Sequence, residues 1–290
     1  MDGDLGDMVA SEPILARLNQ KFKDTHITWI SNKKYFPVYE NHPLVDLLVD
    51  QKYTLLSYLL QKANPFHHYY NLHLSGFRID EMTGISILNI KADELGIDLS
   101  NYYVHHNLLE IALKLCDLEN DDAQPKIYLD EIPYSSPFEK PYWVIHCKSN
   151  AGLRDWTDEN WQELLVKIND QWHVKVVEIG QVNPLNFQHE NFVTLVGKTS
   201  LSETMKIIKG ASFFIGLDSG PTHIANACMV PGLILNGEFL NFKTYMSYSG
   251  MYKNGSKVKI LFNESGKTKD LPFDAVWKEL IKLNDSKSEK

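Results

Sequence analysis

Apolar residues in the first half of the chain form either short continuous runs or runs with three- and four-residue spacing. A helix is predicted by four apolar residues that share one helical face: Ile14, Leu15, Leu18 and Phe22. Strands are predicted over His26–Ile30, Leu44–Val49 and Tyr69–Leu74, and a further helix between Asn107 and Leu118. Strands that alternate with helices are typical of layered α/β folds.

The second half repeats this alternation. Thr157 is placed to cap a helix with a four-residue apolar stripe, namely Trp161, Leu164, Leu165 and Ile168. The segment Ser200–Glu203 has the capping-box pattern and opens a second helix, which Gly210 closes. The remaining predicted elements are strands over Tyr142–Cys147, Val174–Ile179, Phe192–Leu195, Phe213–Leu217 and Leu233–Asn236, and an amphipathic helix from about Phe273 to Leu283.

A stretch without periodicity separates the two halves. It runs from Pro125 to Pro141 and contains Pro133, Pro137 and two serines, so it is the best candidate for a linker. The sequence therefore predicts two α/β domains in tandem. They span residues 1–132 and 142–290, with a linker at 133–141.

Composition and charge narrow the class of protein. The 290 residues are 43% hydrophobic and 23% charged, which is typical of a soluble globular protein. The formal net charge of −8 argues against a protein built mainly to coat nucleic acid. No apolar run approaches the roughly 20 residues of a membrane helix. The three cysteines have no zinc spacing, and a reduced cytosolic compartment is expected. A cytosolic α/β enzyme or a binding protein is left.

The segment Gly216–Ala227 is the most informative for chemistry. A strand ends there, a turn with Gly220 follows, and Pro221 is expected at the first helical position. Free backbone N–H groups and the positive end of a helix favour phosphate or pyrophosphate as the ligand, with Asp218 and His223 beside it. The alternative is a helix that Asp218 caps and against which His223 packs.

The segment His146–Trp156 is a second strand that runs into a loop and then a helix. Ser149 and Asn150 offer hydroxyl and amide donors, and Arg154 can bind phosphate in a bidentate manner. The alternative is a solvated loop arginine. Two such loops in one domain favour the anion site, because open α/β sheets bind ligands outside the carboxyl ends of their strands.

A third segment, Gly3–Asp7, lies just before the first helix. Its carboxylates can cap that helix, or one of them can act as a general base. Neighbouring tyrosines make His67, His68 and His73 look like part of a strand rather than a metal site. No nucleophile elbow surrounds Ser219, and the chain has no G-x-G-x-x-G and no Walker A motif.

In this order the motifs resemble the glycosyltransferase family 9 heptosyltransferases, which add ADP-activated heptose to the lipopolysaccharide inner core. The resemblance covers about Gly3 to Gly237 and is strongest from Val144 onward. The matching segments are Gly3–Pro13, Asn41–Asp46, Arg154–Trp156 with Trp161, Leu195–Leu201 and Asp218–Ala227.

The resemblance implies a GT-B fold, with two Rossmann-like domains facing a cleft and the last helix packing back on the first domain. It implies that Asp7 deprotonates the acceptor hydroxyl. The donor pyrophosphate would be held by Ser149, Asn150 and Arg154. The donor site would be closed by Asp218, Ser219, Gly220, Thr222 and His223. No cofactor and no metal is implied. The implied partners are a nucleotide-sugar, most simply ADP-heptose, and a core or lipid-linked oligosaccharide, with peripheral contact to the cytoplasmic face of the inner membrane and no nucleic acid.

Two hypotheses compete with the heptosyltransferase interpretation. The first is a catalytically weak relative that binds a nucleotide or glycan, and the second is a GT-B nucleotide-sugar epimerase. Arg154 stands where the family carries lysine, and no clear equivalent of the glutamate that binds the donor ribose follows Gly180.

Only two residues precede Gly3–Asp7, too few for the strand from which a first Rossmann loop extends. We therefore expect the recorded chain to lack its first N-terminal strand.

Overall fold

The computed structural model describes residues 3–51, 66–74, 78–79, 86–87, 89–130, 138, 141–149, 152–239, 242–255 and 257–285. The chain divides into two compact units. The N-terminal unit comprises Met1–Tyr128 with Ser247–Ser249, and the C-terminal unit comprises Leu129–Met246 with Gly250–Lys290. Most of the predicted linker lies outside the described residues.

The N-terminal unit has two small sheets among its described residues. Its helices are α1 (Leu5–Ser11), α2 (Pro13–Lys21), α3 (Ile90–Leu95) and α4 (Leu108–Leu115), and its strands are β1 (Thr28–Ser31), β2 (Leu47–Asp50), β3 (Arg78–Ile79) and β4 (Ser86–Ile87). β1 pairs with β2 in parallel, and β3 pairs with β4 antiparallel. The two predicted helices and the first two predicted strands of this half are thus confirmed, with ends shifted by a few residues.

The strand predicted over Tyr69–Leu74 is wrong, because the structure has no strand there. Some of its backbone groups bond to asparagine side chains. The His73 N–H donates to Asn71 Oδ1 at 3.0 Å, and Asn89 Nδ2 donates to the Asn71 carbonyl at 3.1 Å. Residues of this segment, of α2 and of β1 together line a cavity of about 870 Å³. Asparagine side chains thus bind backbone groups that a strand would use in a ladder.

The C-terminal unit is built on one parallel sheet. Its strands are β5 (Tyr142–His146), β6 (Lys175–Glu178), β7 (Phe192–Thr194), β8 (Phe213–Leu217), β9 (Gly232–Asn236) and β10 (Val258–Phe262), and its helices are α5 (Asp158–Trp172), α6 (Leu201–Gly210), α7 (Gly220–Ala227), α8 (Met251–Asn254) and α9 (Phe273–Asp285). The six strands lie in the order β10-β9-β8-β5-β6-β7. The chain thus runs from β5 outward to β7 and returns to place β8 on the other side of β5.

Helices cover this sheet closely enough to bury three whole strands. Every residue of β5, β8 and β9 is buried, as expected for a parallel sheet with both faces covered. Trp161 and Leu164 of α5 and Val276 and Leu280 of α9 belong to the same core. The last helix, which the resemblance implies packs on the first domain, therefore lies within the C-terminal unit in its described part.

The helix ends of the C-terminal unit follow the predicted caps. The Thr157 side chain accepts the Asn160 N–H at the start of α5, and Ser200 and Glu203 form a capping box at α6. Gly210 ends α6, and a Cβ there would lie 2.4 Å from the Tyr142 hydroxyl oxygen. Close packing of helix against strand therefore explains this glycine. In the part of the chain that the structure describes, no helix is long and apolar enough to cross a membrane.

Candidate functional site

The two anion loops predicted from the sequence leave the same edge of the sheet, side by side. One follows β5 and the other follows β8, and these strands are neighbours with His146 opposite Gly216. The strand order changes direction between β5 and β8. Open α/β sheets form a crevice for ligands at such a point. The topology therefore brings both predicted loops of the C-terminal unit to one point.

Arg154 joins the two loops. Its Nη1 donates to the Asp218 carbonyl at 2.8 Å and lies 3.3 Å from the Asp218 carboxylate. The Arg154 side chain is 25% exposed and that of Asp218 only 7%. The alternative of a solvated loop arginine is thus wrong, because the guanidinium is bound at the end of β8.

The N-terminus of α7 is open to a ligand. Ser219 is the N-cap, and its side chain makes no capping hydrogen bond. Gly220 is the first helical residue, so the prediction that Pro221 stands first is wrong by one position. The N–H groups of Thr222 and His223 bond to the Ser219 carbonyl, at 3.1 and 3.3 Å. No residue in the described ranges accepts the N–H of Ser219 or Gly220, so these two donors are available to an anion.

Buried side chains hold this helix end from below. The Ser219 hydroxyl lies 3.0 Å from His146 Nδ1 and donates to the Leu217 carbonyl at 3.2 Å. The Thr222 hydroxyl donates to the same carbonyl. The serine hydroxyl therefore points toward the sheet, and the backbone N–H groups are what the helix end offers to a ligand.

Two histidines under the site are kept neutral by burial. Desolvation lowers the pKa of His146 to about 4. It also lowers the pKa of His223 to about 4, although the nearby Asp218 carboxylate opposes the shift. Both side chains are therefore uncharged near neutral pH. The positive charge of the site comes from Arg154 and the helix end.

The loop after β5 is tied internally. The Ser149 N–H and hydroxyl both donate to Asp155 Oδ1, at 2.7 and 2.8 Å. Lys148 forms an ion pair with Asp158. Ser149 therefore shapes the loop through Asp155, and that carboxylate accepts both of its donors. Asn150, the other predicted donor, lies outside the described residues.

Asp7, the predicted general base, lies in the N-terminal unit. Its Oδ2 accepts the Asp4 N–H at 2.8 Å, and the two residues form a capping box at α1. Asp4 also accepts a hydrogen bond from the Tyr35 hydroxyl at 3.1 Å. The capping role given to these carboxylates as one alternative is confirmed, and a catalytic role for Asp7 stays a prediction.

Sequence reasoning missed three residues at this edge of the sheet. His146 is buried and supports Ser219. Glu178 lies at the end of β6 and is 1% exposed. Phe239 stacks against Arg154. Burial raises the pKa of Glu178, whose carboxylate accepts the Leu185 N–H. The signal for His146 and Glu178 was a polar residue at the end of an apolar strand. Phe239 had no such signal.

Within the described ranges, no group of three or more histidine, cysteine or carboxylate side chains is arranged to hold a metal ion.

A unit of this kind, with anion loops at the switch point of a parallel sheet, is typical of nucleotide-dependent α/β enzymes. Residues 100–244 match the sequence profile of glycosyltransferase family 9 (heptosyltransferase). The chain belongs to this family and is a glycosyltransferase. No curated protein matches the chain by sequence.

Solved structures give the same fold. A family 9 glycosyltransferase from Veillonella parvula is 17% identical with a TM-score of 0.70, covering 98% of this chain and 95% of that one. The ADP-heptose lipopolysaccharide heptosyltransferase II of Escherichia coli is also 17% identical, with a TM-score of 0.68 and coverage of 99% and 98%. The iron-containing dodecameric glycosyltransferase TibC of enterotoxigenic E. coli, 17% identical, reaches 0.65 and covers 99% and 75%. The GT-B class of fold is confirmed.

Proposed function

We propose that this glycosyltransferase transfers heptose from ADP-heptose to a lipopolysaccharide core or related glycan acceptor, with inversion and without a metal ion. The observation that carries the proposal is the arrangement at the β5–β8 switch point. There, Arg154 and the N-terminus of α7 present a fixed positive group and free N–H donors together. A sugar donor with a diphosphate leaving group is the ligand that this chemistry suits.

On the donor side, the site would stabilise the departing nucleoside diphosphate. When the bond from the anomeric carbon to the phosphate oxygen breaks, its electron pair stays on that oxygen and negative charge develops there. Arg154 and the N–H groups of Ser219 and Gly220 are already in place to bind this charge, so little reorganisation is needed during the reaction. The same groups do the work that a divalent cation does in other transferases.

On the acceptor side, we assign the base to Asp7. Its carboxylate would take the proton of the acceptor hydroxyl as that oxygen attacks the anomeric carbon from the face opposite the diphosphate, which inverts the configuration. Asp7 keeps a hydrogen bond from the Asp4 N–H in this structure, and a carboxylate with two oxygens can serve both purposes.

The donor sugar and the place of action complete the proposal. The related protein TibC is described in complex with ADP-D-β-D-heptose, which supports this donor here. We expect the enzyme to work in the cytoplasm, at the cytoplasmic face of the inner membrane, where a lipid-linked acceptor is reached peripherally. TibC is also described as iron-containing, so metal independence needs a direct test.

The experiment is an ADP-release assay with ADP-heptose and a deacylated core acceptor. We expect release that requires the acceptor, persists in EDTA and falls in Arg154→Ala. ADP binding without release would favour a catalytically weak binding protein, for which the capping role of Asp7 is the specific supporting observation. Release of UDP from a UDP-sugar without an acceptor would favour an epimerase.

A further inference from the structure

The guanidinium of Arg154 is held on one face as well as on one edge. Its carbon lies 3.8 Å from the centroid of the Phe239 ring, while Nη1 binds Asp218. Among the residues that the structure describes, the remaining N–H groups of Arg154 have no acceptor. One face and one edge are thus occupied, and the other edge is left for a ligand.

Phe239 is itself held by its surroundings. It follows β9, the neighbour of β8, so it reaches the site from a third loop at the same edge of the sheet. Phe239 and Phe242 exchange two backbone hydrogen bonds, of 2.9 and 3.1 Å. Their rings lie 5.7 Å apart, and Phe242 contacts Tyr245 at 5.2 Å; both of these supporting rings are buried. The ring that Arg154 contacts is therefore anchored to the C-terminal unit.

We propose that Phe239 is a positioning residue that fixes the plane of the Arg154 guanidinium for the diphosphate of a nucleotide donor, and so makes this site require arginine. The inference rests on the proposed function for the identity of the ligand. A planar guanidinium stacks on an aromatic face and still presents a fork of donors in its own plane. A lysine ammonium has no plane to fix, so the same ring would not orient it.

The first test is binding of ADP and of adenosine by calorimetry. We expect Phe239→Leu, which keeps an apolar side chain but removes the ring, to weaken ADP binding about three- to tenfold and leave adenosine unchanged. Phe239→Tyr keeps the ring face and should bind ADP like the parent. In an Arg154→Ala background, Phe239→Leu should have no further effect on ADP.

Three results would overturn the inference: ADP affinity unchanged in Phe239→Leu, an equal loss for ADP and adenosine, or the same loss in the Arg154→Ala background. The last would mean that the ring acts on the ligand or on the fold and not through Arg154. Thermal unfolding of each variant shows whether the fold is intact. If Phe239→Leu unfolds, the NMR measurement on the parent protein still tests the stacking.

A second measurement needs no ligand. In the free protein, the Arg154 side-chain N–H proton should have an upfield NMR shift from the Phe239 ring current, which Phe239→Leu removes and Phe239→Tyr retains. Absence of this shift in the parent protein contradicts the stacking itself. A shift that is present in a protein that binds no ADP contradicts the proposed function, and with it the diphosphate part of this inference, while leaving the positioning of Arg154 intact.

Discussion

The C-terminal and N-terminal units differ in the sheet that supports their predicted site residues. In the C-terminal unit, six parallel strands share one core, and three of them are buried along their full length. In the N-terminal unit, β1 and β2 form a two-stranded sheet beside a cavity of about 870 Å³. The candidate anion site is therefore supported by a continuous sheet, whereas Asp7 lies in the first turn of α1, which is held by its capping box and by the bond from Tyr35 to Asp4.

The most direct test of this contrast replaces one leucine in each unit by alanine. Leu235 is fully buried in β9, and Leu18 is half-buried at the wall of the cavity. Leu235→Ala should cost about 2–5 kcal/mol of the free energy of unfolding, because it creates a new void in a packed core. Leu18→Ala should cost less than about 1 kcal/mol, because it only enlarges an existing space.

Native-state hydrogen exchange, followed separately for peptides of each unit, measures both costs. The Leu235 change should accelerate exchange in the sheet of the C-terminal unit, and the Leu18 change should leave most of its own unit at the parent rate. Equal costs for the two variants would break the comparison, since the cavity would then behave as well-packed core.

The second test is acid destabilisation of the C-terminal unit. His146 and His223 have pKa values of about 4 when folded, against the ordinary value of 6.5. Between these values the unfolded chain binds more protons, so stability falls as the pH falls from about 6.5 to 4 and is fully present above that window. The limiting slope for two protons is about 2.7 kcal/mol per pH unit. Glu178 acts in the opposite direction, because burial raises its pKa.

Urea unfolding at several pH values measures this slope. Either His146→Asn or His223→Asn should reduce this slope by up to the contribution of one proton, because a neutral amide does not titrate. A slope that is unchanged in both variants would mean that other groups cause the acid loss, and the burial of these histidines would then be irrelevant to stability.

The third test concerns the N-terminal unit alone. Asp7→Asn keeps an oxygen that can accept the Asp4 N–H, so folding and ADP binding should be preserved, while turnover should fall roughly 10²-fold or more. Asp4→Asn is the matched control: it alters the other carboxylate of the same capping box and should leave turnover near the parent value. Steady-state ADP release measures both. Parent-like turnover in Asp7→Asn would restrict Asp7 to capping.

Prediction from the sequence succeeded where local signals and burial agree. Ser200 and Glu203 predicted the start of α6, and the apolar run Phe213–Leu217 is β8 with the same ends. It failed for Tyr69–Leu74, because a strand needs a neighbour that no local pattern supplies. For the site, Arg154 was predicted as an anion ligand, but its contacts with Asp218 and Phe239 depend on which strands are adjacent.

The central claim is that the β5–β8 crevice binds a diphosphate through Arg154. The most direct test is calorimetry of ADP and adenosine with the parent protein and with Arg154→Ala. Loss of this charge-assisted contact should cost about 1.5–3 kcal/mol of ADP binding and leave adenosine binding unchanged. Titrating GDP and UDP in parallel would identify the nucleotide. An equal loss for ADP and adenosine, or no loss for either, would contradict the claim.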